Sequence, residues 1–179
     1  MEKTPLSSRT HVSIFGDTNA GKSALFNKLI GQDMVIVSDV RGTTTDPVTK
    51  AMELIPYGPI ALTDTAELGD TTEMGAERMK KTEKILERTD FAIYAADCAG
   101  FDEAAYRDLA GMFEKRKIGH LLVFTKSDLG KPDIAEKYPN AVFVSVYDEG
   151  SVETLKSLLA ERLSELCESR RPSGLRKTR

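Results

Sequence analysis

The chain has 179 residues, 40% of them hydrophobic and 30% charged, with a formal net charge of −3 at pH 7. That length suits one domain with a sizeable core, and the composition excludes a disordered, fibrous or collagen-like chain. The slightly negative balance exerts no overall pull toward nucleic acid or an anionic membrane; no apolar run is long enough to span a bilayer and nothing reads as a signal peptide, so the expectation is a cytoplasmic protein with neither kind of partner.

In chain order, residues 1–9 read as an N-terminal extension, and "HVSIF" (11–15) predicts the first strand. It runs into "GDTNAGKS" (16–23), after which Leu25, Phe26, Leu29 and Ile30 mark one helical face that stops at Gly31. Residues 31–50 match neither period and include "VRGTTTDPV" (40–48), where three threonines sit between a glycine and an Asp-Pro. The run "IALT" (60–63) predicts the third strand of the series, and a polar stretch follows over 66–75. Met79, Ile85 and Leu86 then define one side of a charged helix. The strand "FAIYAA" (91–96) precedes a helix capped at Asp102 and carrying Leu109, Met112 and Phe113. "LLVFT" (121–125) and "AVFVS" (141–145) predict strands five and six. A last helix after Ser151 carries Val152, Leu155, Leu158, Leu159, Leu163 and Leu166. The basic stretch 169–179 reads as a solvated linker or tail.

Strands without alternation are covered on both faces, and strands alternating with helices imply an α/β fold with a mostly parallel sheet between two helical layers. Cys98 and Cys167 are far apart and read as reduced thiols, and His11 and His120 are isolated, so no Cys/His metal site is expected.

Chemistry concentrates in "GDTNAGKS", which has the spacing G-x-x-x-x-G-K-[ST] between a strand and a helix. Glycines let the loop curl so that successive N–H groups face phosphate oxygens, and the helix N-terminus adds a favourable dipole. Lys22 is placed to neutralise β- and γ-phosphates, and Ser23 to bind magnesium. Asp64, at the end of "LTDTAEL", lies where open α/β sheets bind ligands, and it can hold magnesium through a water. In "TKSD" (125–128) a carboxylate at Asp128 can accept from the N1–H and exocyclic amine of guanine, a pair that adenine lacks. The backbone near Ser145 and Val146, in "VSVYDEGSVETL", is placed to meet the same base edge.

These segments, in this order, resemble the P-loop GTPase family over residues 10–167, particularly the translation-factor-like branch with Era- and MnmE-type proteins. The resemblance implies a Ras-like G domain over 10–168 with a six-stranded sheet, binding GTP or GDP with magnesium. It implies that the nucleotide is held by the loop from Gly16 through Asn19, Ala20, Gly21, Lys22 and Ser23 to Ala24, and by Thr125, Lys126 and Asp128. The threonines then acquire a role. In such proteins the loop after the first helix supplies a threonine to magnesium and the γ-phosphate; Thr44 is the expected ligand, with Thr43 and Thr45 as alternatives. Asn19 stands where potassium-dependent MnmE-like GTPases coordinate a monovalent cation beside the phosphates; the alternative is a loop asparagine satisfying the backbone.

A narrower resemblance rests on "TPLSSRTHVSIFGDTNAGKS", "SDVRGTTTDPV", "MELIPYGPIALTDTAELGD" and "MGAERMKKTEKILERTD". Together these are similar to the GTPase domain of the HydF family of FeFe-hydrogenase maturation factors. That family implies downstream dimerisation and iron–sulfur domains following the basic stretch 169–179, radical-SAM maturases and apo-hydrogenase as partners, and a possible dimer of G domains. It also implies that this stretch binds nucleotide and no iron–sulfur cluster.

Three departures stand out. Glu67 replaces the glycine of D-x-x-G, which puts a carboxylate near phosphate charges unless it turns outward. Leu68 follows where other GTPases carry a water-orienting glutamine; Glu73 is the acid expected to take that part, or else a solvated loop carboxylate. Thr125 replaces the commoner asparagine of the guanine motif, and its hydroxyl can still brace the phosphate loop. Two readings stand: a slow GTPase, or a nucleotide-dependent switch module with negligible turnover.

Overall fold

The computed structural model describes residues 4–31, 47–65 and 75–171. Ten principal elements follow one another as β1 (Thr10–Gly16), α1 (Lys22–Ile30), β2 (Val48–Leu54), β3 (Gly58–Asp64), α2 (Gly75–Glu87), β4 (Phe91–Asp97), α3 (Glu103–Lys115), β5 (Gly119–Thr125), β6 (Val142–Val144) and α4 (Glu149–Ser169). The strands form a six-stranded sheet in the order β2-β3-β1-β4-β5-β6. Every pairing is parallel except that of β2 with β3.

The apolar runs without alternation are explained by two cores, one on each face. Val12, Ile14, Ile93, Leu121 and Val123 point toward α1 and α4, where Leu25, Leu29, Leu155 and Leu159 meet them. Phe15, Tyr94, Leu122 and Phe124 point the other way, to Ile85, Leu86, Tyr106 and Phe113. Leu25, Leu29 and Leu155 are essentially inaccessible, and burial of such a side chain stabilises the fold by about 1.5–3 kcal/mol. β1 lies between β3 and β4, so the chain leaves it toward one edge and later returns toward the other. That reversal opens a crevice at the carboxyl end of β1, which is where this class of sheet binds ligands.

Three sequence expectations change. β2 has no apolar period because Thr49, Lys50 and Glu53 interrupt it; it forms as an edge strand through its register with β3, Val48 opposite Asp64 to Leu54 opposite Gly58. Asp148, not Ser151, caps α4, accepting from Gly150 N–H, while Ser151 lies in the first turn. Met79 is 50% exposed, so the buried side of α2 is confined to Ile85 and Leu86. The cap at Asp102 stands, its carboxylate accepting from Ala105 N–H at 3.0 Å.

Candidate functional site

β1 ends at Gly16, and only glycine is possible there: a Cβ would lie 2.0 Å from the Ala95 carbonyl oxygen of β4. The loop then curls through left-handed backbone at Asn19 (φ 62) and Gly21 (φ 74). Gly21 is the N-cap of α1 and supplies no side-chain acceptor, so the amides of Lys22, Ser23 and Ala24 have no partner within the helix. Curled amides at a helix N-terminus make an anion site.

Lys22 turns back over this loop, donating to the Asp17 carbonyl at 2.6 Å and the Gly16 carbonyl at 3.0 Å. Burial pushes its ammonium below the usual lysine range, against the pull of the Asp64 and Asp17 carboxylates. A phosphate in the cradle would add a further counter-charge to this cation. Across the crevice, Ser23 Oγ donates to Asp64 Oδ2 at 2.8 Å. A hydroxyl from α1 and a carboxylate from β3, this close, form a hard-oxygen set suited to magnesium. Among the described residues no group of three His, Cys, Asp or Glu side chains forms a metal cage. The ion would therefore take its remaining oxygens from phosphates and water, the usual manner for magnesium.

Asp17, which sequence reasoning missed, ties this loop to two other elements. Its carboxylate accepts from the Tyr94 hydroxyl of β4 at 2.5 Å and from the N–H of Asp102, the α3 cap, at 3.1 Å. Its own N–H donates to the Ala95 carbonyl at 3.1 Å. Burial raises the Asp17 carboxyl above the usual carboxylate range despite those two donors. The same environment raises the Tyr94 phenol, through burial and the Asp17 carboxylate.

The "TKSD" segment is fastened to the loop from the far side. Thr125 Oγ1, on a buried side chain, donates to the Ala20 carbonyl at 2.6 Å, the brace expected of a hydroxyl in the asparagine's place. Lys126 adopts left-handed backbone (φ 58). Its ammonium reaches the Asn19 carbonyl at 2.9 Å and Asp97 Oδ2 at 2.6 Å. Burial works to raise the Asp97 carboxyl, but the Lys126 ammonium and the Ala99 N–H outweigh it and hold it below the usual range. Asp128 is exposed on the short helix Ser127–Leu129 that follows, free of the sheet. Ser145 is buried and its N–H donates to Ser151 Oγ at 3.0 Å. Val146, the other position expected to meet a base edge, is half-buried beside it.

The structure thus brings Gly16, Asn19, Ala20, Gly21, Lys22, Ser23, Asp64, Thr125 and Lys126 to one crevice. Thr43, Thr44, Thr45, Glu67, Leu68 and Glu73 lie outside the described residues. Asp17 and Asp97 were missed because a motif's variable positions carry no pattern. The available signal was position alone: an acid inside the loop, and one at the carboxyl end of β4.

A family model described as a 50S ribosome-binding GTPase matches residues 11–126. GTPase Der of Wolinella succinogenes is 35% identical over 143 residues, covering 76% of this chain and 29% of that protein. The tRNA modification GTPase MnmE of Xanthomonas oryzae pv. oryzae is 36% identical over 154 residues, covering 84% and 33%. The chain spans about a third of the length of these relatives. Among solved structures, the G domain of the T. maritima FeoB iron transporter superposes with a TM-score of 0.64 at 25% identity, covering 89% of this chain and 99% of that one. Aquifex aeolicus Era bound to GDP and aluminium fluoride gives a TM-score of 0.60 at 22% identity, covering 86% and 56%, and there shows the shared fold alone. Since the matched stretch runs from β1 through the segment after β5, taking in the whole phosphate crevice, the chain belongs to the P-loop GTPases of the Era, Der and MnmE kind.

Proposed function

We propose that this chain is the slow GTPase domain of a hydrogenase-maturation scaffold of the HydF type. Residues 1–9 are then an extension, 10–168 the G domain, and 169–179 a linker toward dimerisation and iron–sulfur domains. The observation that carries the nucleotide reading is the pair of bonds from Thr125 and Lys126 to the Ala20 and Asn19 carbonyls. They hold the segment bearing Asp128 against the phosphate loop, so that one ligand with a polyphosphate and a guanine spans both. The resemblance of the four quoted stretches to the HydF family supports the biological role.

In this reading the amides from Gly16 to Ala24 and the Lys22 ammonium hold the β- and γ-phosphates. Ser23, Thr44 and Asp64 would hold magnesium and Asn19 potassium, and the metal would supply positive charge beside the phosphate oxygens. Asp128 and the backbone near Ser145 and Val146 read guanine. Water, oriented by Glu73, attacks the γ-phosphorus in line; the bond to the β–γ bridging oxygen breaks, the water proton passes to phosphate, and GDP leaves. Partners are the radical-SAM maturases and apo-hydrogenase rather than nucleic acid or membrane, consistent with a net charge of −3, and the setting is cytoplasmic. Among the described residues no helix is long and apolar enough to cross a membrane.

Phosphate release measured in potassium and in sodium tests the site. Slow turnover that potassium accelerates and Lys22→Ala abolishes is expected; turnover equal to buffer in both salts favours the switch reading, to which Glu67 in the glycine position lends support. Chromosomal Lys22→Ala tests the role: FeFe-hydrogenase activity should be lost, and unchanged activity refutes the maturation assignment.

A further inference from the structure

The loops after β5 and β6 leave the sheet side by side. Thr125 pairs with Val144 in the parallel register of these strands, so the third residue beyond the pair is Asp128 on one loop and Tyr147 on the other. Neighbouring strands lie about 4.8 Å apart, and both loops emerge at the end of the sheet where Thr125 and Lys126 grip the phosphate loop. Tyr147 therefore emerges beside the segment that carries the base-reading carboxylate, although no position of the guanine motif marks it.

Its backbone is fixed while its ring lies in water. The Asp148 N–H donates to the Ser145 carbonyl at 3.0 Å, closing a turn with Val146 and Tyr147 at its centre. The Tyr147 N–H donates to Ser145 Oγ at 3.2 Å, and Ser145 is buried and held by Ser151 of α4. Yet Tyr147 is 86% exposed. The other four tyrosines each share a hydroxyl hydrogen bond within the domain: Tyr57 with Thr10, Tyr94 with Asp17, Tyr106 with His120 and Tyr138 with Glu103.

A large aromatic surface on a rigid turn is inexpensive to engage, because only two side-chain torsions have to be ordered when it meets a ligand. A purine offers the matching shape, a flat π-face. Hydrogen bonds from the base to Asp128 lie in the plane of the ring, so they fix its edge and leave its faces open. An aromatic ring on the neighbouring loop covers one of those faces. We infer that Tyr147 stacks on a face of the guanine whose edge Asp128 reads, a further nucleotide-binding residue that favours ligands carrying an aromatic base. The inference rests on the guanine-nucleotide reading given above.

The chain has five tyrosines and no tryptophan, so tyrosine emission is directly visible. GDP is titrated into the parent, Tyr147→Phe and Tyr147→Ala, with emission and calorimetry as the two readouts. Stacking on guanine quenches a phenol, so the parent should lose emission saturably. Tyr94, bonded to Asp17 of the phosphate loop, is a second reporter, and the difference between the parent and Tyr147→Phe isolates Tyr147. Part of the loss should therefore vanish in Tyr147→Phe. By calorimetry that variant, which keeps the ring, should bind GDP within about twofold of the parent, while Tyr147→Ala should bind about tenfold more weakly, the scale of one lost base–aromatic stack. An emission loss identical in the parent and Tyr147→Phe, Tyr147→Ala binding as tightly as the parent, or Tyr147→Phe as weak as Tyr147→Ala overturns the inference and leaves the guanine reading standing. A parent that binds no GDP removes both.

Discussion

Thr125→Val is nearly isosteric, so it leaves no cavity and removes only the hydroxyl. Thr125 is 5% exposed and its acceptor residue Ala20 is fully buried. The Ala20 carbonyl, bonded at 2.6 Å, therefore loses its donor with no water to replace it. An orphaned buried acceptor costs about 1–3 kcal/mol. For a domain of this size each kcal/mol moves the melting temperature by roughly 2–4 °C, so a loss of about 2 kcal/mol predicts a fall of roughly 4–8 °C. The same carbonyl sits in the loop that cradles phosphate. If about 1.4 kcal/mol of its preorganisation is lost, GDP binds about tenfold more weakly, through faster release. Thermal unfolding and the dissociation of a fluorescent GDP analogue measure the two effects. Thr125→Ser keeps the donor and should restore both. A valine variant with unchanged melting temperature and unchanged GDP release would show that the brace carries no energy and refute the reasoning.

Gly16→Ala forces a Cβ onto the Ala95 carbonyl at 2.0 Å, and should destabilise the domain by about 3 kcal/mol or more; a melting temperature within a degree of the parent would contradict the close approach of β1 to β4. Asp128→Asn replaces an acceptor with a donor at the base edge. GTP affinity should fall by roughly 100-fold or more while xanthosine triphosphate gains, and retained guanine preference in competition binding would remove Asp128 from base reading. Asp17 has a folded pKa raised by burial, so the folded state holds its proton more tightly than the unfolded one. Its contribution to stability is fully present below the unfolded pKa and is lost as pH rises through the folded value. Relative to Asp17→Asn, the parent should lose stability as pH rises above about 4, the unfolded carboxyl's value; urea midpoints that keep a constant gap from acid to neutral pH exclude the effect.

The phosphate loop, Asp64 and "TKSD" were legible because their chemistry depends on residue type at fixed spacing, and spacing survives in a linear string. Most strands were legible because burial on both faces leaves long apolar runs, as in "FAIYAA" and "LLVFT". β2 was not, since an edge strand is held by backbone bonds to β3 over Val48–Leu54 and need not be apolar. The cap of α4 was misplaced by three residues because Asp148 and Ser151 are both good caps, and only the chain's exit from Ser145 selects between them.

Sequence by itself determined the kind of ligand and the α/β class, because both follow from local patterns of glycine, hydroxyl, charge and apolar period. Tertiary structure alone decided how the pieces are joined: Asp17 to Tyr94 and the α3 cap, Thr125 to Ala20, and Lys126 to Asn19 and Asp97. Partners up to 107 positions apart meet only because a parallel sheet gathers its carboxyl ends at one edge, and no local pattern encodes which distant carbonyl a given side chain will find there.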